Sequence, residues 1–293
     1  MLQRLGRGWG MTKASWAVLR VHPKLLLFPI FSGLAFFTLV AAIGISVLAG
    51  AKSHFIQHLA NNVRHDEPLA YAALFALYFA CTGIIIFFNA ALVFCALQSF
   101  AGKEPSLRAG LATAAGRLPQ ILAWTLVATT VGVILNALQN FLKERLGIFA
   151  ALLGGVGGVA WSAVTYFVVP VLVVDGVGPI EAVKRSSSIL RRTWGELAGG
   201  EGGLGVISVL LVLPLVLVIG LVAATGTGFG ADATTAVALA AVVAYVLALT
   251  VVFTALGTIF RTGAYIYATT GKAPSSMDPL LLGAAFRSQQ GPS

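Results

Sequence analysis

Apolar residues run almost unbroken over six stretches of this chain, near 25–50, 69–100, 118–140, 147–174, 203–225 and 233–270. Each reaches the roughly 20 apolar residues needed to cross the hydrocarbon core of a bilayer. A backbone surrounded by lipid must satisfy its own hydrogen bonds, so these runs predict helices. The strict alternation that a transmembrane barrel strand requires is absent from them. The expected architecture is an all-α membrane protein with six transmembrane helices in one polytopic domain over residues 1–293. Its expected parts are an N-terminal amphipathic segment (1–24), a six-helix bundle (25–270) and a tail (271–293).

The stretches between the runs repeat. After the second run comes GKEPSLRAGLATAAGRLPQIL, after the fourth GVGPIEAVKRSSSILRRTWGEL, and after the sixth GKAPSSMDPLLLGAAFRSQQ. Each opens with Gly, two residues, then Pro: Gly102/Pro105, Gly176/Pro179 and Gly271/Pro274. Gly ends a helix readily and Pro is tolerated in the first turn of the next. The chain therefore reads as three repeats of one unit, an amphipathic segment followed by two spans, with a fourth segment as the tail.

On a helical wheel the linking segments are amphipathic. Leu107, Leu111, Ala114 and Leu118 share a face flanked by Arg108 and Arg117. Ile180, Val183, Ser187, Leu190 and Trp194 share another, bordered by Lys184 and Arg191. Arg185 and Arg192 form a second row, with Glu181 placed to pair with Arg185 at i,i+4. At the N-terminus Leu5, Trp9, Trp16 and Leu19 line a face beside Lys13 and Arg20. Trp beside Lys or Arg on an amphipathic helix suits the headgroup boundary of a membrane. The expected lipid or partner interface is thus Trp9, Lys13, Trp16, Arg20, Arg108, Arg117, Lys184, Arg185, Arg191, Arg192 and Trp194. The same basic residues also serve simply to hold the helices in their orientation.

Charge fixes that orientation. Of the 19 Lys and Arg residues, all but Lys52, Arg64, Lys143 and Arg145 fall on the side that carries both termini and the Gly-x-x-Pro joints. The positive-inside rule places this side in the cytoplasm. The expected location is a bacterial or archaeal cell membrane, multi-pass, with both termini cytoplasmic. Composition agrees: the chain is 58% hydrophobic and only 10% charged, with a mean hydropathy of +0.92. The net charge of +9 then belongs mostly to the cytoplasmic face, whose natural partner is the anionic leaflet rather than nucleic acid. Cys81 and Cys95 lie in one predicted helix, roughly 21 Å apart along its axis, too far to bridge.

Candidate chemistry is sparse. Asn89 lies in the run IIIFFNAALVF, and Arg261 in GTIFRTGAY. Polar groups inside spans are the first functional leads in a membrane protein. These two are the candidate lining of any cavity, but a helix–helix hydrogen bond for Asn89 and snorkelling to the interface for Arg261 are the favoured readings. Pro170 and Pro214 are expected to kink or interrupt their helices. His54 and His58 stand at i,i+4 near His65, but one short stretch does not make a metal site, and neither metal nor other cofactor is expected. No nucleophile–base pairing, HExxH or phosphate-binding glycine loop occurs.

The opening WGMTKASWAVLRVHPKLLLFPI resembles an uncharacterised prokaryotic family of six-helix integral membrane proteins. The element DGVGPIEAVKRSSSILRRTWGEL, through Gly176, Pro179, Ala182, Lys184, Arg185 and Ser186, is distantly similar to the membrane domain of some glycerophosphodiester phosphodiesterases. The resemblance implies six helices and a cytoplasmic amphipathic face, and it carries no activity. The leading expectation is a non-enzymatic inner-membrane protein whose basic face engages anionic lipid or a partner protein. The alternatives are a transporter or channel for a lipid-like or small solute, and an integral-membrane lipid enzyme.

Overall fold

A computed structural model describes residues 15–49, 68–146, 157–191, 211–212 and 233–270, and all the regular structure in them is helical. A short helix, α1 (15–21), leads through a 3-10 turn, Pro23–Leu26, into α2, Leu27–Ala49. Then follow α3 (Pro68–Phe100), α4 (Leu107–Gly116) and α5 (Leu118–Leu146). Helices α6 (157–164) and α7 (Val168–Asp175) are separated by a turn at 165–167. The chain continues into α8 (179–191) and, later, α9 (Ala233–Thr270).

Five helical stretches are long and apolar enough to cross a membrane: Pro23–Ile45, Tyr71–Phe100, Leu118–Lys143, Gly157–Asp175 and Ala240–Thr270. The protein is accordingly multi-pass. These five match five of the six expected runs; the remaining run, 203–225, lies outside the described residues except for 211–212. At 1.5 Å per residue, the 33 residues of α3 extend about 50 Å and the 38 of α9 about 57 Å. Both exceed a hydrocarbon core of about 30 Å, so each must tilt strongly or project beyond it.

The chain divides into two compact units. One comprises 1–26, 96–105 and 192–293; the other comprises Leu27–Cys95 and Ser106–Arg191. In the first, α9 packs against the Pro23–Leu26 turn, where Leu25 is fully buried. Ala255, Leu256, Ile259, Phe260, Ala264 and Tyr265 bury the last third of α9. Thr258 and Thr262 are buried in the same stretch, and each hydroxyl donates to the carbonyl four residues back. That bond satisfies a polar group inside an apolar helix without a second helix.

In the second unit α3 and α5 run antiparallel through small residues. A Cβ at Gly83 would meet Thr125 at 3.6 Å, and one at Gly132 would lie 2.7 Å from the Tyr78 hydroxyl. Such contacts let membrane helices approach closely. Thr125 and Thr129, both fully buried on α5, also donate to their own i−4 carbonyls. Trp124 of α5 stacks on Trp161 of α6 with ring centroids 6.0 Å apart. A Cβ at Gly157, from the run of glycines that opens the fourth span, would lie 3.7 Å from Leu135 Cδ2.

Candidate functional site: the basic helix joints

Two of the three Gly-x-x-Pro joints fall among the described residues, and both glycines are left-handed. Gly102 has φ 71° and Gly176 φ 64°, the two positive-φ glycines among the described residues. Their caps differ in detail. At the first joint the Lys103 N–H donates to Gln98 O at 2.9 Å and the Gly102 N–H to Ser99 O at 3.1 Å, the paired bonds of a Schellman cap. At the second the Gly176 N–H makes the single bond to Leu172 O, at 3.1 Å. Pro179 is the first residue of α8, as expected, but Pro105 is not helical. Ser106 caps α4 instead, its side chain accepting from the Ala109 N–H. The third joint, Gly271/Pro274, lies outside the described residues.

Helix α4 folds back along the end of α3. The Cys95 thiol donates to Ser106 O at 3.4 Å, and one turn later Gly110 presses on Cys95, Ala91 and Phe28. A Cβ there would lie 2.7 Å from Cys95 Sγ and 3.0 Å from both Ala91 O and Phe28 Cζ. The buried side of α4 is therefore Gly110 and Ala114, while Leu107 and Leu111 are only half-buried and Leu118 is exposed. Of the amphipathic face Leu107, Leu111, Ala114 and Leu118, only Ala114 is fully packed, because close backbone approach selects the smallest residues. Arg108 points outward. Arg117 is half-buried and its guanidinium lies over Gly176, where any Cβ would overlap it. A cation at that place meets the carbonyl end of α7, the negative pole of the helix.

Helix α8 shows the same preference for small residues inside. Ala182 and Ser186 have no exposed surface and Leu190 is buried, one turn apart each. Ile180, at the start of the apolar stripe, is 71% exposed. The reason is Ser186, which closes the interruption between α6 and α7. Its hydroxyl donates to Val164 O at 2.6 Å and accepts from the Phe167 N–H at 3.0 Å. The interruption stands three residues before Pro170, which is buried in the first turn of α7 and brings no N–H to the helix. Ser186 thus supplies a partner to one backbone donor and one backbone acceptor at the break.

Ion pairing separates the basic residues of α8. Arg185 Nε donates to Glu181 Oε1 at 3.0 Å, the expected i,i+4 pair, and Nη1 to Asp175 Oδ2 at 2.8 Å. The hydrogen bonds to Glu181 and then Asp175 raise the guanidinium pKa above its ordinary value. Lys184 and Arg191 are exposed and in no ion pair among the described residues. Trp16 and Arg20 on α1 are exposed as well. Trp9, Lys13, Arg192 and Trp194 lie outside the described residues, as do His54, His58 and His65.

Asn89 is half-buried on α3, its side chain without a hydrogen bond among the described residues, and Arg261 is exposed on α9. They belong to different units. Among the described residues no group of three His, Cys, Asp or Glu could hold a metal ion. The sequence signal for Ser186 and Gly110 was present but ambiguous: small residues at helical spacing announce close packing without saying against what.

The model of a family of unknown function (DUF6159) matches residues 69–275. No curated protein and no solved structure matches the chain. The comparisons bring out no link to the glycerophosphodiester phosphodiesterases.

Proposed function

The chain belongs to this family of unknown function, and from that premise we propose that it is a non-enzymatic, six-span protein of a bacterial or archaeal cell membrane whose basic cytoplasmic face engages anionic lipid. The sixth span is the 203–225 run, and the three Gly-x-x-Pro joints with both termini make up the cytoplasmic side. One observation carries the reading. The joint helices bury their small residues, Gly110, Ala114, Ala182 and Ser186, and turn Arg108, Lys184 and Arg191 outward without acidic partners among the described residues. Cations displayed in this way beside membrane spans meet the negative surface of the inner leaflet, at about 1 kcal/mol each near the surface.

The test is lipid preference of the full-length chain. Purified in neutral detergent, it should gain thermal stability on adding phosphatidylglycerol and not phosphatidylcholine, and the gain should shrink with salt. Equal response to the two lipids contradicts the reading and moves the basic face to a purely orienting role or to a protein partner.

A further inference from the structure

The two sides of α8 differ in kind. Inward are Ala182, Ser186 and Leu190. Outward, Ile180, Lys184, Ser188 and Arg191 follow one another at steps of four, four and three residues, and all four are exposed. Such steps place residues in one row along a helix. Lys184 and Arg191 have no ion pair, and the Ser188 hydroxyl no hydrogen-bond partner, among the described residues. Glu181 adjoins the row, but its carboxylate is held by Arg185.

We propose that the row Ile180–Lys184–Ser188–Arg191 is a binding site for the phosphate headgroup of an anionic phospholipid, which rests on the lipid-engaging role proposed above. Lys184 and Arg191 stand about 10 Å apart along the helix axis, a gap that their long side chains close over one phosphate. Ser188 lies between them and supplies a neutral donor. Arg brings a planar fork of donors to a phosphate and Lys a mobile point charge, so the pair both orients and attracts. Ile180, a turn before Lys184, gives the acyl side of the lipid an apolar contact. Arg185 takes no part: Asp175 and Glu181 hold it, and its role is to brace α8 against the end of α7.

Native mass spectrometry of the full-length chain with phosphatidylglycerol reads this directly. Lys184→Gln with Arg191→Gln should weaken binding about thirtyfold, from two surface charges. Ser188→Ala, which removes no charge, should still weaken it severalfold, whereas Arg185→Gln with Glu181→Gln, which removes that ion pair whole, should leave it within about twofold. All five substituted side chains are exposed, and unchanged thermal unfolding verifies the fold of the Lys184, Ser188 and Arg191 variants. If Arg185→Gln with Glu181→Gln costs as much as loss of one row cation, or Ser188→Ala costs nothing, the defined site is overturned in favour of diffuse charge. If the wild type prefers phosphatidylglycerol and the double variant binds it equally, the row is wrong while the lipid-engaging reading stands. A wild type without that preference defeats both.

Discussion

Single atoms decide where the joint helices sit. The Ser186 hydroxyl is the clearest case, because it serves a backbone donor and a backbone acceptor at the break in 165–167. A buried backbone group without a partner costs roughly 1–3 kcal/mol. Ser186→Ala should therefore lower the stability of the detergent-solubilised protein by about that amount, and amide exchange at Phe167 should accelerate more than at neighbouring helical positions. Unchanged exchange at Phe167 would show that the hydroxyl is not what closes the break. A serine among the three of Ser186, Ser187 and Ser188 gives no sequence sign of this role. Only the fold distinguishes the buried Ser186 from Ser187, which donates to Lys184 O, and from the exposed Ser188.

Elements were legible to different degrees. Long apolar runs identify membrane-crossing helices through bulk hydrophobicity, which requires no knowledge of neighbours, and five of them are present as helices. The left-handed glycines at 102 and 176 were equally plain, since only glycine adopts that conformation without cost. The Glu181–Arg185 pair followed from i,i+4 spacing, whereas its third member, Asp175, arrives from the preceding helix and had no local signal. Which side of α4 and α8 packs was not legible, because a wheel ranks residues by apolarity and these helices pack by size. Gly110 supplies the test: Gly110→Ala drives a methyl into Cys95, Ala91 and Phe28 and should cost roughly 1–3 kcal/mol. Gly116→Ala, with nothing within 4 Å, should leave stability unchanged or raise it, since Ala is the better helix former. Equal effects on the melting temperature would refute the close approach of α4 to α3.

For the whole molecule, hydrophobicity and charge say different things. Hydrophobicity says that the chain crosses the membrane repeatedly; the orientation proposed above rests on the asymmetry of Lys and Arg alone. The lipid-engaging face depends on the second statement, because Arg108, Lys184 and Arg191 meet an anionic leaflet only if the joints are cytoplasmic. The candidate site was legible at this scale, as a set of basic joints, but not its division of labour. Which arginine is spent on carboxylates and which remains available is a property of the folded joint alone. Cysteine labelling in intact cells tests the orientation most directly, using single-cysteine variants at Lys103, Ser188 and Ser275 with Cys81 and Cys95 replaced. An impermeant maleimide should label none of the three from outside and all of them after permeabilisation. Labelling of any one in intact cells would contradict the common cytoplasmic face, and with it the account of what the basic joints are for.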